Sequence, residues 1–222
     1  IPRRRSRSVR VGALTLGGDA PIRVQSMTTT RTADADETLN QINDLVDAGA
    51  ELVRVAAATR DDTAALGEIV AAAPCPIIAD VHFHFDRALE AIDAGVAKIR
   101  LNPGNIRDRE QVRRVIPAAD DADVAIRVGV NAGSVGAPPE SQRDTPLVDR
   151  MVDMLAAYLE VFDAAGFENL VLSAKSHDAL TTIAVNRRLA DRWDWPLHLG
   201  VTHAGPRQTA AVRSAAALGA LL

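Results

Sequence analysis

Cysteine is almost missing from this chain of 222 residues. Cys75 stands alone, which excludes a disulfide framework and any thiolate cluster built from the chain itself. Lysine is nearly missing too: Lys98 and Lys175 are the only lysines among 25 basic residues, the rest being arginine. Aromatic residues amount to 3%, leaving few faces on which the bases of a single-stranded nucleic acid could stack. The net charge of −4 argues in the same direction, against nucleic acid as the main partner. No apolar run approaches the ~20 residues of a membrane span. The basic start, IPRRRSRSVRVG, lacks the apolar stretch of a signal peptide and reads as a solvated opening strand. No Gly-x-Gly-x-x-Gly fingerprint and no P-loop occurs. At 47% hydrophobic residues the chain is globular, and its length suits one large domain spanning residues 1–222, of a kind at home in the cytoplasm.

Apolar, β-branched runs alternate with helical periodicity. The runs begin at Ile22, Leu52, Pro76, Lys98, Ala125, Asn169 and Pro196. Between the first two, Leu39, Ile42, Leu45 and Val46 form one apolar stripe of a helix, and Gly49 follows as its C′ residue. Strand, helix, strand with short joints means a parallel sheet, and strands apolar on both faces mean helices over it. Three segments, DAGAELVRV (47–55), DAGVAKIRL (93–101) and AAGFENLVL (164–172), align without gaps on the second, fourth and sixth strands. A motif recurring every second βα unit fits a (β/α)8 TIM barrel, whose interior layers come from alternate strands. The expected architecture is therefore α/β, a barrel with seven strands present and the eighth cut away, with a doubly wound open sheet as the alternative.

Polar residues gather late in each strand or just after it: Gln25, Ser26, Arg54, Asp80, His82, Arg100, Asn102, Arg127, Asn131, Ser134, Lys175, Thr202 and His203. In parallel barrels such residues meet at the C-terminal mouth. Arg54, Arg100, Arg127 and Lys175 bring four cations from four strands. Burying several cations together is costly unless an anion joins them, and guanidinium forks match phosphate oxygens, so a diphosphate is the natural ligand. The competing reading pairs each arginine with its own carboxylate. The turns NPGN (102–105) and NAGS (131–134) follow two of these strands and have backbone N–H groups to offer a phosphate. In DVHFHFD (80–86), alternation along a strand would put Asp80, His82 and His84 on one face. That arrangement poses the question of a His-x-His metal hydrolase, for which His198 and His203 would be the further ligands.

VQSMTTTRT, ADVHF, IRLNPGNI, IRVGVNAGS, SAKS and PLHLGVTHAG, in this order and spacing, resemble the barrel domain of the 4-hydroxy-3-methylbut-2-enyl diphosphate synthase (IspG/GcpE) family. The resemblance runs from about Val9 to the last residue. It implies an iron-sulfur oxidoreductase that reductively opens 2-C-methyl-D-erythritol 2,4-cyclodiphosphate in the methylerythritol phosphate route to isoprenoids. It further implies a [4Fe-4S] cluster on a C-terminal domain absent from this chain, flavodoxin or ferredoxin as electron donor, and a head-to-tail homodimer of the full-length protein. Under it, Arg54, Arg100, Arg127 and Lys175 match the diphosphate-binding cations, and Asp80 and His82 match contacts to substrate hydroxyl and phosphate groups. Gln25, Ser26, Asn102, Asn131, Ser134 and Thr202 match the polar mouth, while His84 falls at a variable place.

Two departures stand out. The family's last strand reads Thr-Glu-Ala-Gly, where this chain has Thr202-His203-Ala204-Gly205. His203 is then an alternative proton donor, a fifth phosphate contact, or the mark of a barrel that binds without turnover. The cluster ligands are the second departure, since Cys75 cannot replace three cysteines and the chain as given cannot catalyse the reduction. Two alternatives accompany this reading: a non-catalytic diphosphate-binding barrel, and a barrel enzyme resembling dihydropteroate synthase.

Overall fold

A computed structural model describes residues 4–82, 84–106, 108–137, 140 and 143–222. Phe83 of the ADVHF motif and the first three residues of the basic start lie outside the described residues. The parallel sheet has six strands: β3 (Gln25–Met27), β4 (Leu52–Ala57), β5 (Ile77–Val81), β6 (Lys98–Leu101), β7 (Ala125–Asn131) and β8 (Leu170–Lys175). They stand in chain order, each hydrogen-bonded in parallel to the next, and the sheet curls into a partial barrel. Helices α1 (Ala35–Asp47), α2 (Arg60–Ala72), α3 (Phe85–Asp93), α4 (Arg109–Asp121), α5 (Leu147–Ala165) and α6 (Ala179–Arg192) cover its outside. The last helix, α7 (Arg207–Gly219), packs on α6.

Local signals set these boundaries. Asp34, Asp108 and Asp178 accept backbone N–H groups at the starts of α1, α4 and α6, and Thr59 with Asp62 forms a reciprocal capping box on α2. The glycines of the triple repeat, Gly49, Gly95 and Gly166, all have positive φ (100°, 83° and 67°) and end α1, α3 and α5. The repeat is therefore a structural unit, a left-handed helix stop feeding the second, fourth and sixth strands of the sheet.

Two expectations need correction. The seventh apolar run, 196–205, forms no ladder. It pairs with β8 only at the bridge Leu172↔Leu197, where Leu172 N donates to the Pro196 carbonyl and His198 N to the Leu172 carbonyl. Its further contacts there are Lys175 with His198 and Thr202 N with the Ser176 carbonyl. The start of the chain is not a solvated strand. Residues Ser8–Val11 (β1) and Leu14–Gly17 (β2) form an antiparallel hairpin whose Val9 and Val11 are 2% and 0% exposed. These valines pack on Leu52, Ile78, Ala125 and Val171, the lowest inward-facing residues of four barrel strands. The hairpin is thus a plug in the N-terminal end of the barrel. Its arginines bind outward: Arg4 donates to the Trp193 and Trp195 carbonyls, and Arg7 pairs with Asp194 and Glu168 while lying over the Trp195 ring.

Gly17 seats the plug. Its φ is +76°, and a Cβ there would lie 2.2 Å from the Arg7 carbonyl oxygen and 2.6 Å from Pro196. Gly17→Ala is expected to cost about 2–3 kcal/mol in urea unfolding, from backbone strain and overpacking together. A change under about 0.5 kcal/mol would show that the hairpin does not depend on this contact.

Candidate functional site

The inner face of the sheet follows from strand alternation and register. Met27, Arg54, Ile78, Lys98 and Ala125 are neighbours across β3 to β7. One pleat higher stand Ala56, Asp80, Arg100, Arg127 and Val171. Above these come Gly129 beside Ser173 and Asn131 beside Lys175. Residues in such rows point the same way, as the pleat requires. An ordinary barrel fills these layers with branched apolar side chains. Here Arg54 and Lys98 stand in one row with the apolar Ile78 and Ala125, and the row above holds Asp80, Arg100 and Arg127.

One carboxylate organises them. Asp80 is 3% exposed, and its Oδ1 accepts from Arg100 Nη1 at 3.1 Å while its Oδ2 lies 3.5 Å from Arg54 Nη1 and 3.7 Å from His82 Nε2. Burial opposes its ionisation, but the His82 imidazole and the Arg54, Arg100 and Arg127 guanidiniums outweigh that and hold its carboxyl far below the usual range. Arg54 also rests its fork on Met27 Sδ at 2.8 and 3.2 Å. Arg127, 2% exposed, donates to Ser173 Oγ at 2.7 Å, while its Nε and Nη2 find no hydrogen-bond partner among the described residues. Gly129 makes room for this pair: a Cβ there would lie 2.5 Å from Ser173 Oγ and 3.1 Å from Arg127 Nη1. Lys175 Nζ meets His198 Nε2 at 2.8 Å, and burial first, then the neighbouring cations, lowers this lysine to about 6 and the imidazole well below its ordinary value. The expectation that each arginine has its own carboxylate is not met. Arg54 and Arg100 share one, and among the described residues no carboxylate lies within ion-pair distance of Arg127 or Lys175.

The remaining candidates divide. Gln25 pairs with Leu52 in register and so faces inward, and its buried Oε1 has no partner among the described residues. Ser26 pairs with Val53, which belongs to the helix-covered core, so it takes the opposite face. The two glycine turns spend several of their N–H groups on themselves. Gly104 N donates to Asn102 Oδ1, Asn105 N to the Asn102 carbonyl, and Asn131 N to Ser134 Oγ. The turns also touch, since a Cβ on Gly104 would lie 2.7 Å from Ser134 Cβ. Thr202 N donates to the Ser176 carbonyl at 3.0 Å, which ties the last segment to the C-terminal end of β8. His203 is exposed and sits in the left-handed region at φ 49°. His84 does not share a face with Asp80 and His82, because β5 ends at Val81 and His84 is the N-cap of α3.

Sequence reasoning singled out Lys98 as one of two lysines and left it out of the site. It is 1% exposed, lies on the inner face two residues before Arg100, and is lowered to about 7 by burial and by the charges of Arg127 and Arg54. Strand alternation alone carried the signal, as it did for Ser173 before Lys175.

Comparison with known proteins bears on this geometry. A family described as the GcpE TIM-barrel domain matches residues 6–222. The chain is 45% identical over its whole length to a 4-hydroxy-3-methylbut-2-en-1-yl diphosphate synthase (flavodoxin) of Hyphomonas neptunium and covers 58% of it. It is 45% identical to the protein of the same name from Bifidobacterium longum, covering 55%. The chain thus spans somewhat more than half the length of these curated relatives. Among solved structures, Yersinia pestis dihydropteroate synthase superposes with a TM-score of 0.69 at 13% identity, covering 97% of this chain and 89% of that one. The Thermotoga maritima DAHP synthase does so at 0.65 and 12% identity, covering 97% of this chain and 61% of that one. At such identities these two likenesses speak for the fold alone.

The depressed lysines make stability depend on pH in a defined sense. The unfolded chain binds protons at Lys98 and Lys175 up to their ordinary value of 10.5, and the folded chain releases them from about 7 and about 6. Between these limits the unfolded state holds more protons, so the free protein gains stability as pH rises. Burial raises Cys75 and Tyr158, which act in the opposite sense at higher pH. Thermal melts from about pH 7 to about pH 8.5 should therefore show a rising Tm, with up to about 1.4 kcal/mol per pH unit for each lysine. A flat or falling profile would mean that both lysines stay charged.

Proposed function

The chain belongs to the GcpE family, and on that premise we propose that its barrel binds 2-C-methyl-D-erythritol 2,4-cyclodiphosphate for reductive opening to 4-hydroxy-3-methylbut-2-enyl diphosphate. This places it in the methylerythritol phosphate route to isoprenoids. The observation that carries the reading is the charge imbalance of the mouth. Arg54, Arg100, Arg127 and Lys175 face it, and Asp80 is the one carboxylate paired with any of them among the described residues. A small dianion with two phosphoryl groups compensates this excess, and the planar forks of the arginines suit its oxygens.

Each residue has a task in this reading. Asp80 orients Arg54 and Arg100, which receive one phosphoryl group. Arg127, fixed through Nη1 by Ser173, offers its remaining N–H groups, and Lys175 is aimed by His198. His82, on the rim beside Asp80, reaches a substrate hydroxyl or phosphate oxygen. Gln25 Oε1 accepts from a hydroxyl. Asn102, Asn131, Ser134 and Thr202 shape the rim, and the Gly104–Ser134 contact keeps the two turns together. His203, at the place of the family's glutamate, is exposed and available as a proton donor or a fifth phosphate contact.

The family implies a [4Fe-4S] cluster, and the residues present do not fit one. Cys75 is the single cysteine, it precedes β5 at the plugged end of the barrel, and burial raises its thiol, which opposes the thiolate a cluster needs. No step is therefore derived through a cluster on this chain. The curated relatives extend beyond the matched region, and their names carry flavodoxin. The same reading accordingly assigns the cluster to a further domain, delivery of electrons to flavodoxin or ferredoxin, and closure of the barrel to a second copy in a homodimer, in the cytoplasm. Among the described residues no helix is long and apolar enough to cross a membrane. His203, at the place of the family's glutamate, favours one rival, a barrel that holds a cyclic diphosphate without turning it over.

Calorimetric titration with the cyclodiphosphate tests the binding reading. Saturable heat is expected, weaker at high salt, and reduced in affinity by about 30-fold or more in Arg100→Ala, which loses a buried charge-assisted contact. Unchanged affinity in Arg100→Ala, or no heat from a folded sample, would remove the ligand from this mouth.

A further inference from the structure

Below the arginines lies a cation with no assigned task. Lys98 is buried on the inner face, and among the described residues no carboxylate lies within ion-pair distance of it. The groups around it are nearly all of its own sign. Arg54 comes from β4, Arg100 from its own strand, Arg127 from β7 and Lys175 from β8, with His198 beyond it; Asp80 and His82 on β5 are already engaged with one another and, through Asp80, with Arg54 and Arg100. Both lysines of the chain therefore sit in this one interior, in a protein that otherwise uses arginine for its basic side chains. The two residue types differ in one decisive respect. Arginine keeps its proton in proteins, whereas a buried lysine gives its proton up.

We propose that Lys98 belongs to the anion site as a deep, titratable cation, and that occupancy of the mouth by a diphosphate loads protons onto Lys98 and Lys175. This rests on the diphosphate reading above. In the free barrel, burial first and then the guanidiniums, Arg127 and Arg54 for both lysines and Arg100 also for Lys175, favour the neutral amines. A bound dianion reverses the local field, because its charges lie among the same arginines that repel the lysines. The amines then regain protons from solvent, and the protein within the complex carries more positive charge than it does free, up to the two charges the dianion brings. The arginines supply permanent attraction, and the lysines adjust the total charge to the ligand. Proton balance is simple: each proton gained by an amine is lost by a buffer molecule, and no bond to the ligand is made or broken.

The cyclic diphosphate is a good probe because both its phosphoryl groups are diester-like and hold a fixed charge near neutral pH. Titration calorimetry at about pH 8 in Tris and in HEPES reads proton uptake as the difference in apparent enthalpy. Uptake of up to two protons per ligand is expected, one for each lysine. Affinity should weaken about tenfold per pH unit for every proton taken up. In Lys98→Met, which replaces the buried amine by an apolar chain of similar length, the uptake should fall by about one proton. Lysine labelled with carbon-13 at Cε gives a reading without any variant, since the chain has only two such signals. Both should titrate below the ordinary lysine range in the free protein and move upward by more than about one pH unit with ligand. Binding with equal heats in the two buffers, or two signals already in the ammonium form at about pH 8 without ligand, would overturn the inference and leave the diphosphate reading standing. No binding from a folded sample would overturn the diphosphate reading, and this inference with it.

Discussion

The buried ion pair between Asp80 and Arg100 is the interaction on which the interior depends. Without it, β4 to β8 would bring only cations to one small volume, and the cost of burying them would be uncompensated. The carboxylate sits in the middle of the row. It reaches Arg100 on the next strand at 3.1 Å, and Arg54 on the preceding strand at 3.5 Å although Arg54 starts one pleat lower. That offset works because an arginine is long enough to climb a pleat. The remaining basic groups are then dealt with one by one: Arg127 by a serine hydroxyl, and Lys98 and Lys175 by giving up their charge, Lys175 beside an imidazole. Stability alone would favour branched apolar residues in these layers, so the buried charges are held at a cost in stability.

Much of the fold was legible in the sequence, and for local reasons. Strands β4 to β8 coincide with their apolar runs to within a few residues because both faces of each are constrained, one by helices and one by the barrel interior. The repeated Asp/Ala-Ala-Gly stops are readable because positive φ is costly for anything but glycine. The first strand was overestimated. Ile22 and Val24 are apolar but 52% and 55% exposed, on the free edge of the sheet, and although the Val24 carbonyl accepts from Glu51 N and Leu52 N the strand itself begins only at Gln25. The seventh run failed for a similar reason, since one bridge is all its neighbour affords. The hairpin plug was hidden because its two strands are only four residues long and follow an arginine-rich stretch, although Val9 and Val11, with Leu14 and Leu16 opposite, alternate inward.

The site divides along the same line. Residues on regular strands were placed well, since period-two alternation carries Arg54, Asp80, Arg100, Arg127 and Lys175 to one face. That rule also puts Lys98 and Ser173 there, and it puts Ser26 outside. What no local rule supplies is who meets whom across the barrel. The stagger of the strands brings Lys175 to His198 and Arg127 to Ser173, and these are facts of register. His84 illustrates the limit in the other direction: two histidines two apart look like one face, until the strand stops at Val81 and the second becomes a helix cap.

The plug has a consequence for traffic. With Val9 and Val11 seated on the lowest apolar layer, this end of the barrel is stopped up as a flask is by its base. The inward arginines are therefore reached from the mouth or from the unpaired side between β3 and β8, and not through the base. Under the diphosphate reading proposed above, the grip that captures a dianion also slows its release, and the strength of the cation cluster is limited from above by the need to let go.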